Sequence, residues 1–212
     1  NLFFRFFDLN DPSERDRHAG FAGLGKRLEA NPQPRFDYAQ MGDAIAVQRL
    51  TAFFARYGRE LQAYPAHLTS LETIRDYNVI LVGSSRMHPL LRRLPVRLDF
   101  EFERGSQLVN RNPRPGEQAS YPTPSHRDVA SYFVIACFPG SLRAERELMI
   151  LTSHSTAGLV AAADHVTRTE SLRSIESHLP AQRGAARTPF QMLLKVSASQ
   201  DEPFMPEFIT MH

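Results

Sequence analysis

The run Asn78-Val79-Ile80-Leu81-Val82-Gly83 decides the fold reading, because four consecutive aliphatic residues stopped by glycine describe a strand covered on both faces. Residues 132–138 and 148–152 read the same way, and the Pro139-Gly140-Ser141 signal between them predicts an antiparallel hairpin. The alanine-rich residues 157–166 then predict a helix able to sit close against a sheet, 170–179 a second helix, and 190–197 a final strand. Strands alternating with helices predict an α/β fold. The expected architecture is a three-layer mixed sheet with parallel central strands and helices on both faces, Rossmann-like or flavodoxin-like.

Upstream of the deciding run, Val47, Leu50, Phe54 and Tyr57 share one stripe, with Ala46 and Phe53 beside it. This period predicts a helix over 42–57, with Asp43 as a candidate N-cap and Gly58 as its stop. A short strand is expected over 60–64 and a brief helix over 69–75. Downstream, a short helix is expected over 89–94. Val96, Leu98, Phe100 and Phe102 then alternate with Arg97, Asp99, Glu101 and Glu103, a strand with one wet face near a sheet edge, paired through Arg104-Gly105-Ser106 to a strand around Leu108. Four prolines at 113, 115, 122 and 124 make 110–127 a long loop. Residues 1–40, with phenylalanines at 3, 4, 6 and 7, a short helix over 21–28 and a Pro32–Pro34 break, form an arm expected to pack on a single domain spanning 41–212.

Composition narrows the function classes. The chain has 212 residues, 42% hydrophobic and 23% charged, and its 25 Lys+Arg against 23 Asp+Glu give a net charge of +2, too little for a broad nucleic-acid footprint. No apolar run approaches the ~18 residues that cross a bilayer. The single cysteine, Cys137, makes no internal disulfide and no zinc site alone, and its apolar strand marks it as a packing residue. Asn1 is not an initiator methionine, so the chain reads as a piece excised from a longer protein. Its compartment stays open between the cytoplasm and, if a membrane helix precedes Asn1, a periplasm.

Three constellations carry chemistry. Ser84, Ser85 and Arg86 directly follow the deciding strand, where amides, hydroxyls and a guanidinium can hold an anion; the competing reading is a turn and a helix cap. Ser153, His154 and Thr156, within Thr152-Ser153-His154-Ser155-Thr156-Ala157-Gly158, follow another buried strand and could bind a phosphate, carboxylate or sugar hydroxyl, or merely cap the next helix. If the two strands run in the same direction, both groups open onto one edge. The long loop adds Asn110, Arg111 and Glu117, in a region where seven arginines face three acids between Arg86 and Gly116; solvated charge is the competing reading. His154 and His165, eleven residues apart, would lie about 16 Å apart on one helix and cannot share a metal. No nucleophile elbow, zinc-protease, Walker or dinucleotide fingerprint occurs, so neither metal nor cofactor is expected.

The order NVILVGSSRMHPL, LDFEF, LVNRNPRPGE, DVASYFVIACFPG and LMILTSHSTAGLVAAADHV resembles that of an uncharacterised bacterial α/β domain family, found downstream of winged-helix or membrane segments. The resemblance spans about residues 40–200. It implies a regulatory or sensory domain with no assigned reaction. His88-Pro89 stands where the family pattern has Asn-Pro, and Ser153 where glycine is usual. The expectation is a non-catalytic sensing or interaction domain that binds a small polar, anionic molecule at the carboxyl edge of its sheet. The rivals are a hydrolase or transferase acting on a nucleotide or sugar, with His154 near a hydroxyl and a carboxylate, and an assembly domain whose N-terminal aromatics would join a homodimer.

Overall fold

The computed structural model describes residues 41–66, 69–83, 90–103, 107–122, 130–179, 188–197 and 206–212. The chain divides into two units, Asn1–Met41 and Gly42–His212. The expectations for residues 1–40, helix 21–28 included, lie outside the described residues.

The elements run α1 (Met41–Ala55), α2 (Leu71–Ile74), β1 (Val79–Val82), a 3-10 turn (Leu91–Arg93), β2 (Phe100–Phe102), β3 (Leu108–Asn110), β4 (Ser120–Tyr121), β5 (Ala130–Pro139), β6 (Glu147–Ser153), α3 (Thr156–Thr167), α4 (Thr169–His178), β7 (Phe190–Ser197) and β8 (Glu207–Met211). Five strands form one sheet in the order β1-β6-β5-β7-β8, and β2-β3-β4 form a second. Among the described residues only β1 and β6 pair in parallel, and every other pairing is antiparallel.

This overturns the Rossmann-like or flavodoxin-like expectation. The runs at 132–138 and 148–152 were rightly read as covered on both faces, whereas Val79–Val82 is an edge strand and only partly buried; apolar character encodes neither strand position nor strand direction. Along β5, Phe133 and Ile135 join a cluster with Leu50 of α1, Leu159 and Ala162 of α3 and Ile175 of α4. The alternate residues Tyr132, Val134 and Ala136 pack with Leu98, Phe100, Phe102, Leu108 and Tyr121. One face of the five-stranded sheet therefore carries helices, while the other carries the small sheet. The period-2 side-chain alternation sorts these two cores, and the second layer of strands replaces the expected second layer of helices.

Locally, several expectations shift. Residues 60–64 form no strand, the 89–94 helix is reduced to the 3-10 turn, and the strand expected over 96–103 pairs only at Phe100–Phe102. The long loop contains β4, and the chain ends in β8, a strand not anticipated. The Pro139-Gly140-Ser141 turn does close an antiparallel hairpin, with Gly140 at φ 69°.

Helix α1 seats on the start of α3. A Cβ on Gly42 would lie 2.9 Å from Thr156 Cα and 3.2 Å from its carbonyl oxygen, backbone atoms that cannot swing aside. Gly42→Ala is therefore expected to cost about 1–3 kcal/mol, a fall of roughly 2–12 °C in Tm by thermal denaturation. An unchanged midpoint would show that the two helices separate freely. The neighbouring Arg49–Asp164 ion pair is half-exposed and contributes about 1 kcal/mol at most.

Candidate functional site

The end of β6 is built by serines. Ser155, extended at φ −124° and ψ 153°, caps α3 by accepting from the Gly158 amide at 3.0 Å. Ser153 Oγ donates to the Tyr132 carbonyl at 2.7 Å and accepts from the Ser155 amide at 3.2 Å, and Ser131 Oγ meets Ser155 Oγ at 2.5 Å. These hydroxyls tie β5, β6 and α3 together. Buried Ser153 is thus spent on structure, while Thr156 is exposed as the first residue of α3.

His154 stands apart from this network. Its half-buried ring lies 5.4 Å, centroid to centroid, from Phe102 of β2 at an interplanar angle of 40°. Nδ1 is buried without a hydrogen-bond partner, and burial pushes the imidazole below its ordinary pKa of 6.5, so the ring is neutral at pH 7. The general-base reading requires a hydrogen bond from this ring to a hydroxyl or a carboxylate, and His154 makes none among the described residues. Ser84, Ser85 and Arg86 lie outside the described residues. The strand before them runs as the convergence argument requires, with Val82 opposite Leu151 and the Gly83 amide donating to the Leu151 carbonyl at 3.1 Å.

The loop residues belong to a different assembly, where Asn110 and Glu117 meet the end of β8. His212 hydrogen-bonds through Nδ1 with Asp99 at 2.8 Å and through Nε2 with Glu117 Oε2 at 2.9 Å, with only 4% of its side chain exposed. Glu117 Oε2 also accepts from Asn110 Nδ2 and the Arg114 amide, each at 2.9 Å, and Oε1 accepts from Thr210 Oγ1. Burial alone would push the Glu117 carboxyl up. The bonds from the Arg114 amide, Thr210, His212 and Asn110 outweigh it and hold the pKa at about 2. Gln191 extends the network, exchanging backbone bonds with His212 at 2.9 Å and holding the Asp99 amide through Oε1 at 2.8 Å. Arg111 instead makes an exposed fork to Glu101 and Glu103.

With both nitrogens of His212 engaged, neither is left to take a substrate proton, and the assembly is a clasp between sheets. Gln191 pairs with Ala136, whereas Ser153 pairs with Phe133. The clasp and the serine turn therefore sit about 10 Å apart along the strands, so among the described residues Asn110 and Glu117 are gathered apart from Ser153, His154 and Thr156. Asp99, Gln191, Thr210 and His212 were not singled out. The aromatic and β-branched run Phe208-Ile209-Thr210 was the available signal for β8, but nothing local tied it to Asp99 or Glu117.

His165 also has a buried, unpartnered Nδ1, and burial lowers its pKa. The cavity beside it, lined by Asp164, Arg168 and Ser171 among others, holds only about 10 Å³, room for a single water. Among the described residues no group of three or more His, Cys, Asp or Glu side chains could hold a metal, and no helix is long and apolar enough to cross a membrane. Comparison with protein-family models, curated proteins and solved structures finds no match, so the site is read from its own geometry.

Proposed function

We propose that this chain is a non-catalytic binding domain that takes a small polar, anionic molecule at the carboxyl edge of the parallel β1–β6 pair. The observation that carries this reading is His154, whose buried Nδ1 has no partner at the point where β6 turns into α3. A buried polar nitrogen without a partner is costly, and a ligand that supplies one relieves the cost. The parallel pair brings the ends of β1 and β6 side by side, and the positive end of the α3 dipole favours negative charge there. An anion beside the ring would oppose the effect of burial and raise the His154 pKa.

The test follows the His154 ring resonances by NMR over pH 4–8, alone and with inorganic phosphate, acetate or a nucleoside monophosphate. At least one of these anions is expected to move the His154 titration upward, and His154→Ala to weaken its binding about tenfold or more. If no anion moves the ring, the reading fails.

A further inference from the structure

A second feature lies beside β2, the first strand of the small sheet, and shares only Phe102 with the surroundings of His154. The chain between the 3-10 turn and β2 encloses a groove of about 330 Å³, within the range of about 300–1,000 Å³ typical of ligand pockets. Leu94, Leu98 and Phe102, all nearly buried, line it together with the half-exposed Leu91 and Val96. Its remaining lining residues are Arg97 and Glu101.

The two charged residues that line this groove differ in how they are engaged. From Leu90 to Leu98 the sequence has three arginines and no acid. The acids that follow are engaged elsewhere, Asp99 with His212 and Glu101 with Arg111. Arg97 is exposed, and its guanidinium makes no ion pair among the described residues; only its backbone carbonyl is engaged, by Gln191 Nε2 at 3.1 Å. A trough of mixed apolar and polar lining, whose carboxylate is ion-paired and whose guanidinium makes no ion pair among the described residues, complements an amphipathic chain that ends in an anion.

We infer that the groove of Leu91, Leu94, Val96, Leu98 and Phe102 binds an amphipathic carboxylate, with the alkyl chain in the trough and the head group on Arg97. A trough of this size, at a water-like volume of about 30 Å³ per methylene, accommodates a chain of roughly ten carbons. Arg97 suits the head group because a guanidinium meets a carboxylate through two parallel hydrogen bonds. Apolar burial supplies the remaining affinity, about a fourfold gain for each methylene fully removed from water.

The experiment titrates the full chain with octanoate, decanoate and dodecanoate below their micelle concentrations, following methyl NMR shifts of Leu94 and Leu98, with dodecyltrimethylammonium as the cationic control. Affinity is expected to rise two- to fourfold per added carbon. Arg97→Glu should weaken dodecanoate at least tenfold and strengthen the cation, while Leu91→Asp, at a half-exposed position, should weaken both. Equal binding of the two head groups, binding independent of chain length, or shifts that bypass Leu94 and Leu98 would each overturn the inference. So would a stable dimer of the ligand-free chain that Leu91→Asp dissolves, since the groove would then be filled by a second copy. Phe102 lines the groove and also touches the His154 ring, so the variants separate the two readings: Arg97→Glu and Leu91→Asp are expected to weaken dodecanoate while leaving the phosphate-induced shift of His154 in place.

Discussion

Glu117→Ala is expected to lower stability by about 3–5 kcal/mol at pH 7, a fall of roughly 6–20 °C in Tm, because it removes the common acceptor of the clasp. Asn110 Nδ2, the Arg114 amide, Thr210 Oγ1 and one nitrogen of His212 would all lose their partner at once. Glu117→Gln keeps the shape and an acceptor, so it should lose less, about 1–3 kcal/mol. Acid makes the test sharper. The Glu117 pKa is lowered from 4.5 to about 2, so between these values the unfolded chain binds the proton and the folded chain does not. The contribution is fully present above about pH 5 and is lost as pH falls through 4.5 toward 2, on the order of 1–3 kcal/mol after allowing for screening by solvent. Urea unfolding at pH 7 and pH 3 should show this loss in the parent chain and a correspondingly shallower one in Glu117→Gln. Parallel pH profiles would show that the carboxylate does not carry the clasp.

Gly158→Ala is the second large effect. An added Cβ would sit 2.2 Å from Ser153 Oγ, 2.9 Å from Ser131 Oγ and 3.0 Å from Ser153 Cβ. These hydroxyls are the ties among β5, β6 and α3, so the methyl must push the helix off the sheet or break the serine network. The expected cost is about 2–4 kcal/mol, read as a lower urea midpoint. Combining it with Ser153→Ala should recover part of the loss, since the closest clash disappears while the Cβ contact remains. A double variant less stable than the sum of the singles would show that the hydroxyl bonds matter more than the close approach.

Legibility followed the range of the interactions. The strands at 132–138 and 148–152, their hairpin and both C-terminal helices were readable because periodicity and turn residues act over a few positions. Strand direction was not readable. Val79–Val82 and residues 148–152 share one apolar character whether their neighbours run parallel or antiparallel, and the chain realises both, β6 pairing parallel with β1 and antiparallel with β5. The layer covering the second face was hidden for a similar reason: Val96, Leu98, Phe100 and Phe102 showed which side of their strand is buried, but not that Val134 and Ile150 lie beneath it.

The candidate site divided in the same way. The density of hydroxyls after β6 was visible, but its use as a knot among three elements depends on Ser131 and Tyr132, more than twenty residues upstream. Asn110 and Glu117 were marked as candidate ligand contacts of the long loop. Their partner, however, is His212, 95 residues beyond Glu117, and no local pattern announces such a pairing.

That distance along the chain also has a bearing on how the molecule reaches its folded form. Asp99 and His212 are separated by 113 positions, so bringing them together closes a very large loop, and the entropic penalty is met only once the intervening strands have already drawn the ends close. The hairpin of β5 and β6 closes over a handful of residues and has no such requirement. The clasp therefore lies on the native side of the folding barrier, where it slows the escape of the finished structure far more than it guides the search for it.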